Sequence, residues 1–291
     1  MTASTRAWMQ MHFCVILWGF TAILGRMITL PALPLVWLRM ILVTAALLLF
    51  PAFWKGVAKM TPRLALVYTV IGFLVTAHWV TFYSSIKLAN ASVAATCMAL
   101  SPVFVAFMEP PIVGRRFDVR EVFFGVATVP GVALVVGGTP AGMRLGIAIG
   151  ILAAFFGALF SVLNKRFIHD APAIAVTGLE MAAGAVGLAF VSPFVVPGRQ
   201  DTVLLLALAI GCTLVPFVLW LVALRRLTTF SASLAVNMEP VYSIVLAILL
   251  LGEQRELSAA FYVGVTIIMT AVFSHPWLTG TVGDPREQGL D

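Results

Sequence analysis

Of the 291 residues, 61% are hydrophobic and only 10% are charged, against roughly 25% charged in an ordinary soluble domain. That composition excludes a soluble enzyme or binding domain and describes a chain counted in membrane spans of about 20 apolar residues each. The net charge of +6 is then accounted for by topology and contact with anionic lipid, and nucleic acid is not an expected partner.

Ten apolar segments follow in order. The first, near residues 9–29, lies behind Arg6; it is too long for a signal peptide, lacks a small-residue cleavage site, and carries Trp18 and Thr21. The second, 34–53, opens at Pro31 and Pro34 and contains Arg39. The third, 64–86, contains "TAHWVTFYSS", where helical spacing puts His78 with Phe82 and Trp79 with Tyr83 on adjoining faces. Such a surface lines a cavity or packs and anchors helices. The fourth, 91–111, carries Met98, Ser101 and Pro102 and includes most of "ALSPVFVAFMEPPIVGR". The fifth, 119–137, ends in the Gly137–Pro140 turn, and the sixth, 145–165, carries Gly146 and Gly150 at helix-contact spacing and the pair Phe156 and Phe160. The seventh, 172–195, contains Glu180; the eighth, 202–224, contains Phe217 and Trp220. The ninth, 231–252, includes most of "NMEPVYSIVLAILLLGE", and the tenth covers 257–275, followed by a polar tail, 276–291, that is expected to be disordered. Strands of a β-barrel alternate over about ten residues and do not run apolar for 20.

Charge placement predicts orientation. With the N-terminus in the cytoplasm, 12 basic residues (Arg6, Lys55, Lys59, Arg63, Arg115, Arg116, Arg120, Lys165, Arg166, Arg225, Arg226 and Arg286) face the cytoplasm. Five (Arg26, Lys87, Arg144, Arg199 and Arg255) face the other side, as the positive-inside rule requires. Both termini are then cytoplasmic.

A shift of 138 positions maps the first half onto the second: Gly19 onto Gly157, Pro34 onto Pro172, Pro102 onto Pro240, Gly114 onto Gly252. The repeats comprise residues 1–140 and 141–275. Five spans per repeat is an odd number, so the second repeat enters the membrane inverted, the architecture of secondary transporters with a site near the midplane. The predicted fold is thus an all-α membrane protein of ten helices in two inverted five-helix repeats.

Pro102 and Pro240 each remove a backbone hydrogen bond and press on the carbonyl four residues back, those of Met98 and Val236. Unpaired backbone at membrane depth is tolerated only against protein or a water-filled cavity. Beside Pro240 stand Asn237 and Glu239. A charge within a span costs at least about 2.5–3.5 kcal/mol and usually faces an ion or substrate pathway, although a hydrogen-bonded strut is the plainer reading of Glu239. Arg39 and Glu180 are expected to pair or to snorkel and not to bind substrate. Cys14, Cys97 and Cys212 lie inside spans without a CxxC pair, so neither a disulfide nor a metal site is expected. No cofactor is expected, and His12, His78, His169 and His275 are too scattered for an intramembrane enzyme.

The motifs Trp18–Phe20 ("WGF"), Ser101–Phe104 ("SPVF"), Met238–Ser243 ("MEPVYS") and Leu249–Glu253 ("LLLGE") together resemble the EamA branch of the drug/metabolite transporter superfamily over about residues 9–275. Within that branch the chain looks most like YddG-type exporters of amino acids. The resemblance implies export of small metabolites through a bacterial inner membrane. Arg115 stands where the second repeat has Glu253, so no symmetric role for Glu253 is expected. The expected substrate site comprises Trp18, Thr21, His78, Trp79, Tyr83, Met98, Ser101, Phe160, Trp220, Asn237 and Glu239, with Pro102 and Pro240 as kinks. Amino acids, aromatic ones included, are the expected substrates, moved by alternating access; the sequence leaves open whether protons are the coupling ion or transport is facilitated diffusion. The alternatives are a lipophilic or cationic drug exporter and, further off, a sugar-phosphate antiporter.

Overall fold

In a hydrocarbon solvent, apolar runs of this length satisfy their backbone by forming helices. The computed structural model describes residues 3–236 and 238–279, which form helices joined by turns and short loops, with no strand among them. The first repeat comprises α1 (Ala3–Met27), α2 (Ala32–Leu48), α3 (Pro51–Val57), α4 (Pro62–Leu88), α5 (Ala91–Met98), α6 (Ser101–Glu109), α7 (Val119–Ala127) and α8 (Val129–Gly137). The second comprises α9 (Arg144–Phe167), α10 (Ala173–Ala189), α11 (Arg199–Leu206), α12 (Val215–Leu224), α13 (Thr229–Val236), α14 (Glu239–Leu251) and α15 (Ala259–Thr279). The ten spans are α1, α2, α4, α5 with α6, α7 with α8, α9, α10, α11 with α12, α13 with α14, and α15. Among the described residues five helical stretches, some of them made of two of these helices, are each long and apolar enough to cross a membrane.

Four boundaries differ from the sequence reading by four residues or more: α1 starts at Ala3 instead of residue 9, α10 ends at Ala189 instead of residue 195, and the second and tenth spans also end elsewhere. The second span stops at Leu48 instead of residue 53, because Pro51 cannot continue the helix; α3 leaves at 93° to α2. The tenth runs past Pro276 to Thr279. Residues 280–291, the rest of the expected tail, lie outside the described residues.

The repeat shift reappears in the backbone. α5 ends at Met98 and α6 begins at Ser101; α13 ends at Val236 and α14 begins at Glu239, each pair 138 positions apart. Short turns bridge the breaks, with the Ala99 and Leu100 amides donating to Thr96 and Cys97 and the Met238 amide donating to Ala235, all at 3.1 Å. Among described residues the positive-φ positions are Gly114 (81°) and Gly252 (70°), again equivalent. A β-carbon is penalised in this left-handed region, so glycine occupies it.

Close packing assembles the bundle. α4 lies along α9 and α10, and α1 lies along α12 and α14. Gly146 and Gly150 let α9 approach the first repeat: a Cβ on either would fall 2.8 Å from Ala89 Cβ or Ser85 Oγ. This is the helix contact their spacing predicts. Cys14, Cys97 and Cys212 are free and buried.

Candidate functional site

Aromatic residues at helical spacing on α4 (Trp79, Phe82, Tyr83) meet others from α1 (Trp18), α9 (Phe160) and α12 (Phe217, Trp220) around one central cavity. The rings form a continuous wall. Trp79 lies edge-on to Phe217 at 6.1 Å, Phe217 stacks on Phe160 at 6.2 Å, and Trp220 meets Phe160 at 5.8 Å and Trp18 at 6.4 Å. The enclosed space is about 90 Å³, room for roughly six waters or one small organic molecule.

The two helix breaks open onto this space. Met98 and Ser101 line it from one break, Val236 and Glu239 from the other. Ten of the eleven expected site residues therefore surround the same cavity: Trp18, Thr21, His78, Trp79, Tyr83, Met98, Ser101, Phe160, Trp220 and Glu239. Asn237 lies outside the described residues. Arg39, Phe82, Phe217 and Ser233 also line the cavity and were not among the expected site residues.

Arg39 corrects the sequence reading most. It neither snorkels nor pairs with Glu180. It is 2% exposed and held on three sides: Nε donates to Thr213 Oγ1 at 2.5 Å, Nη1 donates to the Tyr83 hydroxyl at 2.9 Å, and the guanidinium lies 3.8 Å above the Trp79 ring. A π-helical stretch, Ala207–Leu214, ahead of Pro216 presents Thr213, whose hydroxyl donates to Leu208 at 2.6 Å. Among the described residues Nη2 has no hydrogen-bond partner. Periodicity placed Arg39 in a span but not on a face, because one charge carries no pattern.

Glu239, 7% exposed, begins α14 and lines the cavity with Arg39. Each group lies within the other's electrostatic reach, yet they form no ion pair; the ion pair found among the described residues is Arg115–Glu109. The cavity thus presents one cationic and one carboxyl group, unpaired with each other. His78 is fixed by a 2.8 Å hydrogen bond from Nδ1 to the Ala153 carbonyl. A carbonyl only accepts, so Nδ1 is the donor, and in the neutral form of the ring Nε2 is then the acceptor. Gly157 makes room for that ring: a Cβ there would fall 3.1 Å from Nδ1.

Glu180 is fully buried away from the cavity, facing Asn164 of α9 without a hydrogen bond of standard geometry at either group. It points to α9 while Arg39 points to α4 and to the π-helical stretch ahead of α12, which is why the two do not meet.

The EamA-like transporter family matches the chain twice, over residues 7–137 and 144–275. The chain belongs to the EamA-like transporter family. Both matches coincide with the two structural repeats, and the family is one of membrane transporters within the drug/metabolite transporter superfamily. No curated protein matches the chain. A solved crystal structure of a protein shares 19% identity and a TM-score of 0.69, covering 94% of this chain and 99% of its own; at that identity the likeness is one of fold.

Proposed function

We propose that this EamA transporter exports small amphipathic zwitterions, amino acids with apolar or aromatic side chains above all, across a bacterial inner membrane by alternating access. The observation that carries the reading is a guanidinium and a carboxyl group that line one aromatic chamber without pairing with each other. Arg39 offers Nη2 to a carboxylate, with a planar fork suited to that group, and Glu239 offers acceptors to an ammonium. The rings offer apolar area and stacking to a side chain. A substrate carrying both charges satisfies both poles, whereas a substrate carrying one leaves the other desolvated and unmatched. The likeness of the motifs to YddG-type amino acid exporters supports the same class.

Counterflow in proteoliposomes against amino acids, their decarboxylated amines, cationic drugs and sugar phosphates tests this. Amino acids should exchange and their amines should not; exchange of sugar phosphates alone would overturn the reading. The drug-exporter reading draws on the same aromatic wall and on Glu239, and Arg39 weighs against it because it repels a cation. Orientation is part of the proposal. Single cysteines at Lys59 and Arg144, in a chain without Cys14, Cys97 and Cys212, should react with an impermeant maleimide from opposite faces, and labelling of both from one face would refute it.

A further inference from the structure

Helices need partners for the amide donors of their first turn. Here the first turns of α5 and α13 take them from the opposite repeat. Glu109, the last residue of α6, accepts from the Thr229 amide at 2.8 Å and the Phe230 amide at 3.1 Å, and Arg115 pairs with it at 3.0 Å. Glu253, just beyond α14, accepts from the Ala91 amide at 3.0 Å, the Ser92 amide at 2.9 Å and the Ser92 hydroxyl at 2.7 Å. The recipients are equivalent: Ala91 and Thr229, and Ser92 and Phe230, are each 138 positions apart. The next donor in each helix is capped locally, Val93 by Asn90 at 2.9 Å and Ser231 by Thr228 at 3.0 Å, and these too are 138 apart. The carboxylates are not equivalent. Behind the left-handed Gly252 the chain delivers Glu253 directly, while behind Gly114 it delivers Arg115, which braces Glu109. Glu253 therefore has a functional counterpart that residue-by-residue alignment hides.

We infer that Glu109 and Glu253 are the two gates of the carrier, one released in each half of the transport cycle. The broken spans α5–α6 and α13–α14 run antiparallel past the cavity, hinged beside it at Met98–Ser101 and Val236–Glu239. One clasp ties their ends on the Lys59 side, the other on the Arg144 side. Both carboxylates are buried, at 1% and 2% exposure, each accepts from three protein donors, and neither lines the cavity. An ordinary cap moves with its own helix. These caps join opposite repeats, so an end that opens must break its clasp, and water entering the opened end then solvates both the carboxylate and the freed amides. A hinge on each span lets one end part while the other stays closed. Thr229 is held by Glu109 and also lines the cavity, so that clasp adjoins the substrate chamber itself.

This rests on the alternating-access reading but not on the substrate, which allows a test without any ligand. A Ser233→Cys reporter in the cavity wall, in the full chain lacking Cys14, Cys97 and Cys212, is exposed to an impermeant thiol reagent in right-side-out and inside-out vesicles. One charge-assisted hydrogen bond corresponds to roughly ten- to a hundredfold in a two-state equilibrium. Glu253→Gln should raise the reaction rate from the Arg144 side about tenfold or more and lower it from the Lys59 side; Glu109→Gln should do the reverse. Ser92→Ala and Arg115→Gln, milder changes at the same clasps, should shift the rates with the same signs and decide the matter if either Gln variant is not inserted. Rates that stay unchanged, or that move alike for both clasps, overturn the assignment.

Discussion

The two repeats match closely in their framework and differ in their polar groups. Trp79 and Phe217 are equivalent positions, as are Phe82 and Trp220, and all four line the cavity; the first pair touch across it. The helix breaks, the left-handed glycines and the capped first turns are equivalent as well. Arg39, by contrast, is matched by Thr177, His78 by Pro216 and Glu239 by Ser101. The difference has a physical logic. Parts that move must work at both ends of the membrane and are served by duplication. The proposed zwitterionic substrate would have two unlike poles, so the groups that read it would have to depart from symmetry.

The largest expected effect falls on Arg39. Loss of one partner from a buried charge pair costs about 2–5 kcal/mol, so Arg39→Gln should lower kcat/KM for amino acids by about a hundredfold or more in proteoliposome uptake. Arg39→Lys should not rescue it, because a point charge cannot replace the planar fork that holds Thr213 and Tyr83 while serving a ligand. Equal activity of the Lys variant would reduce Arg39 to a generic positive charge.

Glu239→Gln comes next. Loss of a charge-assisted hydrogen bond of about 1.5–3 kcal/mol should raise KM roughly ten- to a hundredfold with folding intact. Should Glu239 instead carry the coupling proton, the variant loses its response to an imposed pH gradient while counterflow survives. Measuring both activities on one protein separates the two roles. Unchanged values in both would make this carboxyl a packing strut.

Trp79→Ala and Phe217→Ala test the symmetric half of the comparison. Aromatic contacts of about 0.5–1.5 kcal/mol predict losses of roughly two- to tenfold, similar for the two variants and greater for bulky amino acids than for small ones. A loss confined to one ring would show the wall to be asymmetric too. The smallest effect belongs to Ser101→Ala. Its hydroxyl makes one long 3.5 Å contact to the Ala154 carbonyl, so uptake should change less than about twofold, whereas its counterpart Glu239 is sensitive. A large loss at Ser101 would undo the contrast between the repeats.

Ten apolar runs, their inverted duplication and the two prolines were legible in the chain because each follows from a repeated pattern: hydrocarbon thickness, an odd span count, a missing amide donor. The aromatic lining was legible for the same reason, since ring spacing on a helix assigns a face. The environments of the charges were not. Arg39 and Glu180 look alike in sequence as single charges in apolar runs. Tertiary structure turns one toward the cavity through Tyr83 and Thr213 and buries the other beside Asn164. The clasps escaped for a related reason, because Glu109 and Glu253 serve equivalent turns from non-equivalent positions, reached across more than 100 residues. Hydrophobic periodicity determines which residues form spans and which faces are apolar; where a lone charge finds its partner depends on which helices pack against it, and that is settled only when the two repeats come together.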